Sequence, residues 1–136
     1  MLSIVCPVYN EAENIENLFN EIHLKIKTPC EIIVVYDMDD DTTIPVIKRI
    51  SNKYKSNIRL IKNSYGSGVL NAIKTGFDNA RERAVLVLMA DLSDDLGVVD
   101  EMYRLVNDEG YDLVCGSRYM KGGKQIGGPL IKKTMS

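Results

Sequence analysis

Short runs of apolar, mostly β-branched residues alternate along the chain with longer segments in which apolar residues recur every three or four positions. The short runs predict strands that are buried on both faces, because each run is almost continuously apolar. Five strands are predicted in this way, at residues 2–8, 31–36, 58–61, 84–90 and 113–116. Strands that alternate with amphipathic helices predict an α/β fold with a mostly parallel sheet, covered by helices on both faces.

The helical segments carry apolar stripes and capping signals. In the first helix, Asn10 is a candidate N-cap with Glu13 as its capping-box partner, and Pro29 ends the segment. Asp41 and Thr43 are predicted to cap the second helix, and Asp94 the fourth. The residues that mark the four helices are Ile15, Leu18, Phe19, Ile22 and Ile26; Ile47, Ile50 and Tyr54; Leu70, Ile73, Phe77 and Ala80; and Val99, Met102, Tyr103 and Val106.

Composition excludes several classes of function. A chain of 136 residues with 45% hydrophobic residues fits one domain, and its net charge of −2 argues against nucleic acid as a partner. The single histidine, His23, and three cysteines without metal-binding spacing argue against zinc sites and Ser-His-Asp catalysis. The longest apolar run, residues 84–90, is far shorter than the roughly 20 residues that cross a bilayer. We therefore expect no transmembrane segment in the chain, reduced thiols and a cytoplasmic location.

Polar clusters follow every predicted strand. They contain Pro7, Tyr9, Asn10 and Glu11 after the first strand, residues 37–41 after the second, Gly66 and Gly68 after the third, residues 91–95 after the fourth, and Gly116, Ser117 and Arg118 after the fifth. Ligands of parallel α/β sheets bind outside the carboxyl ends of the strands. The five clusters therefore predict one ligand site along this edge.

The first two clusters carry a resemblance to a known family. The segment Pro7-Val8-Tyr9-Asn10-Glu11 resembles the opening strand of family 2 glycosyltransferases of the GT-A fold, and residues 36–43 are similar to that family's Asp-Asp-x-Ser-x-Asp-x-Thr stretch. The resemblance implies that Asp37 binds the base of a nucleotide and that Val35 offers it backbone contacts. Tyr9 can pack on base or ribose, and Glu11 can accept hydrogen bonds from the ribose. Tyr36 stands where the family usually has its first aspartate.

The third and fourth clusters extend the resemblance to the diphosphate. Residues 63–68 are similar to the family's glycine-rich turn, in which Gly68 would approach the nucleotide. The family has Asp-x-Asp after its fourth strand, and here Met89 replaces the first aspartate while Ala90 and Asp91 follow. By this match Asp91 binds Mg²⁺ or Mn²⁺, with Ser93 holding a metal-bound water. One carboxylate suffices in principle, because Mg²⁺ is often held by one or two carboxylates together with waters and substrate phosphates.

The fifth cluster narrows the resemblance. Gly116-Ser117-Arg118-Tyr119, followed by Gly122 and Gly123, resembles a segment of the dolichyl- and polyprenyl-phosphate sugar synthases. The resemblance implies that Arg118 binds phosphate oxygens of the leaving diphosphate or of a lipid phosphate.

Together these matches imply a three-layer α/β/α, Rossmann-like GT-A domain that is C-terminally incomplete. Residues 1–136 would form its nucleotide-sugar-binding part, with the acceptor region outside the chain. The implied reaction is inverting transfer of a sugar from a UDP- or GDP-sugar to a polyprenyl phosphate or a saccharide, with Asp91 and Arg118 as catalytic residues. The full-length protein is then expected at the cytoplasmic face of a membrane.

One alternative remains open beside this interpretation, and the sequence argues against two others. Met89 and Tyr36 favour a non-catalytic nucleotide-binding fragment or homologue. A signalling receiver domain needs an aspartate after the third strand, and no acidic residue lies between Ile58 and Ile73. A nucleotidyltransferase needs a basic, glycine-rich loop after the first strand, and the segment Tyr9-Asn10-Glu11 does not supply it.

Overall fold

A computed structural model describes residues 1–54 and 57–117 of the chain. Four strands and four α-helices alternate in this part, with single 3₁₀ turns after α2 and before α4. The elements are β1 (Leu2–Val8), α1 (Ile15–Lys25), β2 (Cys30–Tyr36), α2 (Thr43–Ile50), β3 (Asn57–Lys62), α3 (Val69–Asn79), β4 (Ala84–Val87) and α4 (Val99–Asn107).

The four strands form a sheet in the order β3-β2-β1-β4, and all neighbours are parallel. Leu2 of β1 pairs with Cys30 of β2 on one side and with Ala84 of β4 on the other. Successive strands move outward from β1 to β3, and the chain then crosses back to place β4 on the free side of β1. Right-handed crossovers put the helix of such a reversal on the opposite face of the sheet.

Both faces of the sheet are covered by helices. Alternate residues of β1 point to opposite faces, so that Ile4 and Cys6 pack with α1, α2 and α4, whereas Val5 packs with Ala72 of α3. The predicted stripe of α1 is buried as expected. The three-layer arrangement and the parallel sheet are therefore confirmed.

Small residues bring α3 close to the sheet. Ala72, Thr75 and Gly76 form its buried face, and Gly76 lies against Val5 of β1. Leu70 and Phe77, which mark the helical period in the sequence, are 69% and 51% exposed. The helix is where the pattern predicts it, but its most apolar side chains do not face the sheet.

Two strand predictions are wrong in the described part of the chain. The fourth strand ends at Val87 and not at Ala90, although the Leu88 amide still donates to the Val5 carbonyl at 3.0 Å. The segment 113–116 is not a strand. An apolar run becomes a strand only where a neighbour completes its hydrogen-bond ladder, and no described strand pairs with this segment.

The predicted helix caps are also wrong in detail. The first helix begins after Asn14, and Asn10 has a left-handed backbone with φ of 56°, so the proposed capping box between Asn10 and Glu13 does not form. Thr43 is not a cap but the first residue of α2, whereas the prediction for Asp41 is confirmed, because its side chain accepts from the Thr43 amide at 2.8 Å. Asp94 does not cap α4; the neighbouring Asp95 caps the 3₁₀ turn that leads into this helix, accepting from the Gly97 amide at 2.9 Å.

A buried carboxylate joins the amino ends of the strands, opposite the predicted site. Glu31 is 2% exposed and accepts from the Ser3 hydroxyl at 2.7 Å, the Arg81 amide at 2.8 Å and Arg59 at 3.3 Å. Burial alone would raise the pKa of Glu31, but these hydrogen bonds outweigh it and hold the pKa below its usual value. The network ties β1, β2 and β3 to the loop before β4.

No helix of residues 1–54 and 57–117 is long and apolar enough to span a membrane.

Candidate functional site

The direction of the crossovers reverses between β1 and β4, which makes the carboxyl ends of these two strands a topological switch point. Open parallel sheets bind ligands in the crevice at such a point. A cleft of about 310 Å³ opens there on the α3 face. Its lining residues are Pro7, Val8, Tyr9, Glu11, Asp37, Gly68, Val69, Ala72, Met89, Ala90 and Asp91.

The cleft brings together most of the predicted nucleotide-binding residues. Seven of the eight line it: Pro7, Tyr9, Glu11, Asp37, Gly68, Ala90 and Asp91. The eighth, Val35, is fully buried in β2 beside Ala72, with its backbone paired to β1 and β3. Arg118, the other predicted catalytic residue, lies outside the described residues.

Hydrogen bonds between two loops shape the β1 side of the cleft. The Asn10 amide donates to Asp41 Oδ2 at 3.1 Å, and the Glu11 amide donates to Thr43 Oγ1 at 2.9 Å. In return, Asn10 Oδ1 accepts from the Thr42 amide at 3.1 Å. These bonds hold the turn in which Tyr9, 62% exposed, and Glu11 reach the cleft.

A second set of bonds folds the glycine-rich loop over Asp37. One Asp37 oxygen accepts from Asn63 Nδ2 and the other from the Gly68 amide, both at 2.8 Å. Asn63 also donates to the Gly66 carbonyl at 2.7 Å and accepts from Thr75 of α3 at 2.9 Å. Gly66 and Gly68 have φ of 85° and 118°, conformations that favour glycine. The loop therefore needs both its glycines and the side-chain amide of Asn63.

The acidic loop after β4 presents one carboxylate to the cleft. Asp91 is exposed and accepts from the Ser93 amide at 3.0 Å, while Leu92 between them has a φ of 59°. Left-handed backbone at a bulky residue is uncommon and is concentrated at functional sites. Met89 is 38% exposed beside Asp91 and lines the cleft. Among the described residues, no three histidine, cysteine, aspartate or glutamate side chains cluster to hold a metal ion.

A second cavity, of about 530 Å³, lies on the other side of the acidic loop, against α1. Met89 lines both cavities, whereas Asp94 lines only this one. The acidic loop therefore divides its carboxylates, with Asp91 directed to the cleft and Asp94 to the α1 side.

The cysteine nearest to the cleft in sequence is not poised for nucleophilic chemistry. Cys6 lies in β1 next to Pro7 and is fully buried. Burial, together with the charge of Glu11, raises the pKa of Cys6 to about 12. The thiol therefore stays protonated near neutral pH and is a poor nucleophile.

Several residues of the site escape a reading of the sequence. Val69 and Ala72 line the cleft from α3, and Asn63 and Asp41 organise its loops. Nothing in the local pattern distinguishes Val69 and Ala72 from ordinary helix positions, and the clusters that contain Asp41 and Asn63 do not show which loops these residues join. The position of Asn63 at the start of the glycine-rich segment is the one signal in the sequence that could have pointed to its role in that loop.

Comparison with known protein families gives a match over nearly the whole chain. The family model described as glycosyl transferase family 2 matches residues 3–133. Dolichol-phosphate mannosyltransferase of Pyrococcus furiosus is 33% identical over 136 residues, which cover 99% of this chain and 38% of that protein. Polyprenol monophosphomannose synthase of Mycolicibacterium smegmatis is 29% identical over 98% of this chain and 51% of its own length. The chain thus spans between a third and about half of these relatives.

Solved structures support the fold. The mannosyltransferase PcManGT from Pyrobaculum calidifontis, in complex with GDP-Man and Mn²⁺, superimposes with a TM-score of 0.68 at 22% identity, over 79% of this chain and 32% of that one. Residues 1–349 of TarS from S. aureus, in complex with UDP, superimpose with a TM-score of 0.64 at the same identity and the same coverage of both chains. The cleft at the switch point, the ordered motifs around it and the match over residues 3–133 lead to one assignment: the chain belongs to glycosyltransferase family 2.

Proposed function

We propose that the chain is the donor-binding part of an inverting glycosyltransferase that transfers a sugar from UDP- or GDP-sugar to a polyprenyl phosphate. One observation carries the proposal. Seven residues, singled out as nucleotide-binding by the resemblance, line a single cleft at the switch point of the sheet. The names of the Pyrococcus and Mycolicibacterium relatives favour a lipid-phosphate acceptor over a saccharide.

The base of the nucleotide would lie between the β1 loop and Asp37. An ionised carboxylate has about four acceptor positions, and Asp37 uses two of them for Asn63 and Gly68. Its remaining acceptor capacity suits a ring N–H of uracil or guanine. The exposed ring of Tyr9 offers a flat apolar surface for the base or ribose, and Glu11 offers acceptors for ribose hydroxyls.

The diphosphate would lie near Asp91, across the cleft from Asp37. In the proposed reaction an acceptor oxygen attacks the anomeric carbon from the face opposite the diphosphate. The bond from that carbon to the diphosphate oxygen breaks, and its electron pair leaves with the nucleoside diphosphate. A lipid phosphate is already anionic, so this step needs no general base. Arg118 is proposed to neutralise charge that grows on the phosphates.

A divalent cation is part of the proposal. The described residues offer Asp91 as a carboxylate ligand, and Ser93 follows it closely enough to hold a bound water. This donor set fits Mg²⁺ or Mn²⁺ only when substrate phosphates and waters complete the coordination. Such an ion, when bound, would stabilise negative charge on the leaving diphosphate.

A second candidate is a homologue that binds nucleotide without turning it over. The position of Met89 favours it, because a thioether at the edge of the cleft replaces a carboxylate that would share the metal. The two candidates differ in whether metal strengthens nucleotide binding and whether sugar is transferred. They share the cleft and its base-binding residues.

Calorimetric titration of the chain with UDP and GDP, with and without Mn²⁺, tests the proposal. We expect the metal to strengthen binding and Asp91→Asn to remove that gain, because the amide keeps the acceptor for Ser93 but loses the charge. Asp94→Asn is the matched control, since this exposed carboxylate on the same loop does not line the cleft. A chain that binds neither nucleotide under any metal condition would contradict the proposal. Equal binding with and without metal would favour the second candidate.

A further inference from the structure

Two buried polar side chains at the start of α2 are directed at the neighbouring loop and not only at their own helix. Asp41 is 2% exposed and Thr43 is fully buried. An ordinary helix cap needs one acceptor, and Asp41 Oδ1 supplies it to the Thr43 amide at 2.8 Å. The other oxygen of Asp41 and the hydroxyl of Thr43 remain available for a different purpose.

Those two acceptors hold the backbone of the β1 loop. Asp41 Oδ2 accepts from the amide of Asn10, and Thr43 Oγ1 accepts from the amide of Glu11, across 31 and 32 residues of sequence. Both donors are main-chain groups, so the bonds constrain the path of the loop itself. Asn10 completes the connection by accepting from the Thr42 amide.

The bonds fix a loop with an uncommon conformation. Asn10 has a φ of 56°, a left-handed backbone that glycine adopts freely and that asparagine tolerates better than most other residues. The turn at Asn10 allows the residues on either side of it, Tyr9 and Glu11, to line the same cleft. A loop without these bonds would sample other conformations and would lose entropy when a ligand ordered it.

We infer that Asp41 and Thr43 are positioning residues, which hold Tyr9 and Glu11 ready for the nucleotide before it binds. This inference rests on the proposed function for its ligand, but the bonds themselves do not depend on it. A binding site that is already ordered does not pay the ordering cost on binding. Loss of one bond of this kind should weaken nucleotide binding by about tenfold.

Matched substitutions separate this role from simple helix capping. Thr43→Val keeps the shape of the side chain and removes the acceptor for the Glu11 amide, whereas Thr43→Ser keeps the acceptor. Asp41→Asn keeps an oxygen for the Thr43 amide and turns an NH₂ group towards the amide of Asn10. Amide hydrogen exchange by NMR, the unfolding midpoint and the affinity for UDP and GDP are measured for each variant.

We expect Thr43→Val and Asp41→Asn to raise hydrogen exchange at the Asn10 and Glu11 amides and to weaken nucleotide binding. Thr43→Ser should keep both the exchange rates and the affinity close to those of the wild type. All affinities are compared where circular dichroism shows every variant to be fully folded. Unchanged exchange at Asn10 and Glu11, or exchange raised equally throughout the sheet, would overturn the inference. A wild-type chain that binds no nucleotide would contradict the proposed function, and exchange at these two amides alone would then decide whether the bonds order the loop.

Discussion

Replacement of Gly76 by alanine tests how α3 is held against the sheet. An ideal Cβ built at Gly76 would stand 2.9 Å from Val5 Cγ2, 3.1 Å from Val5 Cβ and closer still to Val5 Cγ1. Val5 cannot move away easily, because it is fully buried and a β-branched side chain has few alternative rotamers. The added methyl group must therefore displace the helix or force Val5 out of its preferred rotamer.

The size of the effect follows from two opposing terms. Alanine in place of glycine favours a helix by about 1 kcal/mol, whereas an extra methyl group in a packed core costs about 1–3 kcal/mol. Because the contact is with the stiff stem of Val5, we expect the upper part of that range. Gly76→Ala should therefore lower the free energy of unfolding by about 1–2 kcal/mol.

A double-mutant cycle with Val5→Ala isolates the contact. Val5→Ala removes both γ-carbons and leaves only the Cβ, 3.1 Å from the new methyl group, so in that background Gly76→Ala should be near neutral or stabilising by up to about 1 kcal/mol through helix propensity. The coupling energy between the two positions should then be about 1–3 kcal/mol. Urea denaturation followed by circular dichroism measures all four free energies of unfolding.

The opposite result would refute this reasoning. If Gly76→Ala stabilised the wild-type chain as much as the Val5→Ala chain, the coupling would vanish and the close contact between α3 and β1 would be wrong. If Gly76→Ala alone failed to fold, recovery of the fold in the double variant would still show the contact. The position of α3 matters for function because Val69 and Ala72 of this helix line the cleft.

Two further predictions concern the polar networks. Hydrogen bonds hold the pKa of Glu31 below its usual value of about 4.3, so its charge stabilises the fold above that pH and the contribution is lost as pH falls through the folded-state pKa. Glu31→Gln should lower the free energy of unfolding, measured by urea denaturation at pH 7, by about 1–3 kcal/mol. The difference in this free energy between the variant and the wild type should shrink in acid. A difference that stays constant with pH would contradict the lowered pKa. Asn63→Ala should lower the free energy of unfolding by about 1–3 kcal/mol and raise amide exchange at Gly68, because Asn63 and Asp37 together hold the glycine-rich loop. An unchanged exchange rate at Gly68 would show that Asn63 does not order that loop.

The order of helices and strands could be predicted from the sequence because burial on both faces leaves a strong pattern. The strands at residues 2–8 and 31–36 are almost continuously apolar and central in the sheet, and they lie almost where the pattern predicts them. The fourth strand is at the edge of the described sheet, and there the apolar run 84–90 overestimates its length. Apolar character shows which residues are buried, but a strand ends where its hydrogen-bond ladder ends. The last pair of β4 is with Val5, and Pro7 further along β1 has no N–H to donate.

The helix caps and the loop conformations could not be predicted from the local sequence, because their hydrogen-bond partners are distant in sequence. Asn10 has the chemistry of an N-cap, yet its side chain accepts from Thr42 in another loop. The buried face of α3 could not be predicted from the pattern either. Close approach of this helix to β1 requires the small residues Gly76 and Ala72, and it leaves Leu70 and Phe77 exposed. A sequence pattern based on hydrophobicity cannot identify a contact whose requirement is small size.

Most of the candidate site could nevertheless be predicted, because strand ends of a parallel sheet converge by geometry. Pro7, Asp37 and Asp91 are far apart in sequence and line one cleft. The central claim is that a nucleotide and a divalent cation occupy this cleft together.

Paramagnetic broadening by Mn²⁺ in amide NMR spectra tests that claim most directly, with the Mg²⁺ complex of UDP or GDP as the diamagnetic reference. We expect broadening centred on Ala90 and Asp91 that extends to Tyr9, with amides at the opposite end of the sheet, such as Leu2 and Glu31, unaffected. Broadening centred instead on the exposed carboxylates Asp39 and Asp40, or the same broadening with and without nucleotide, would contradict it.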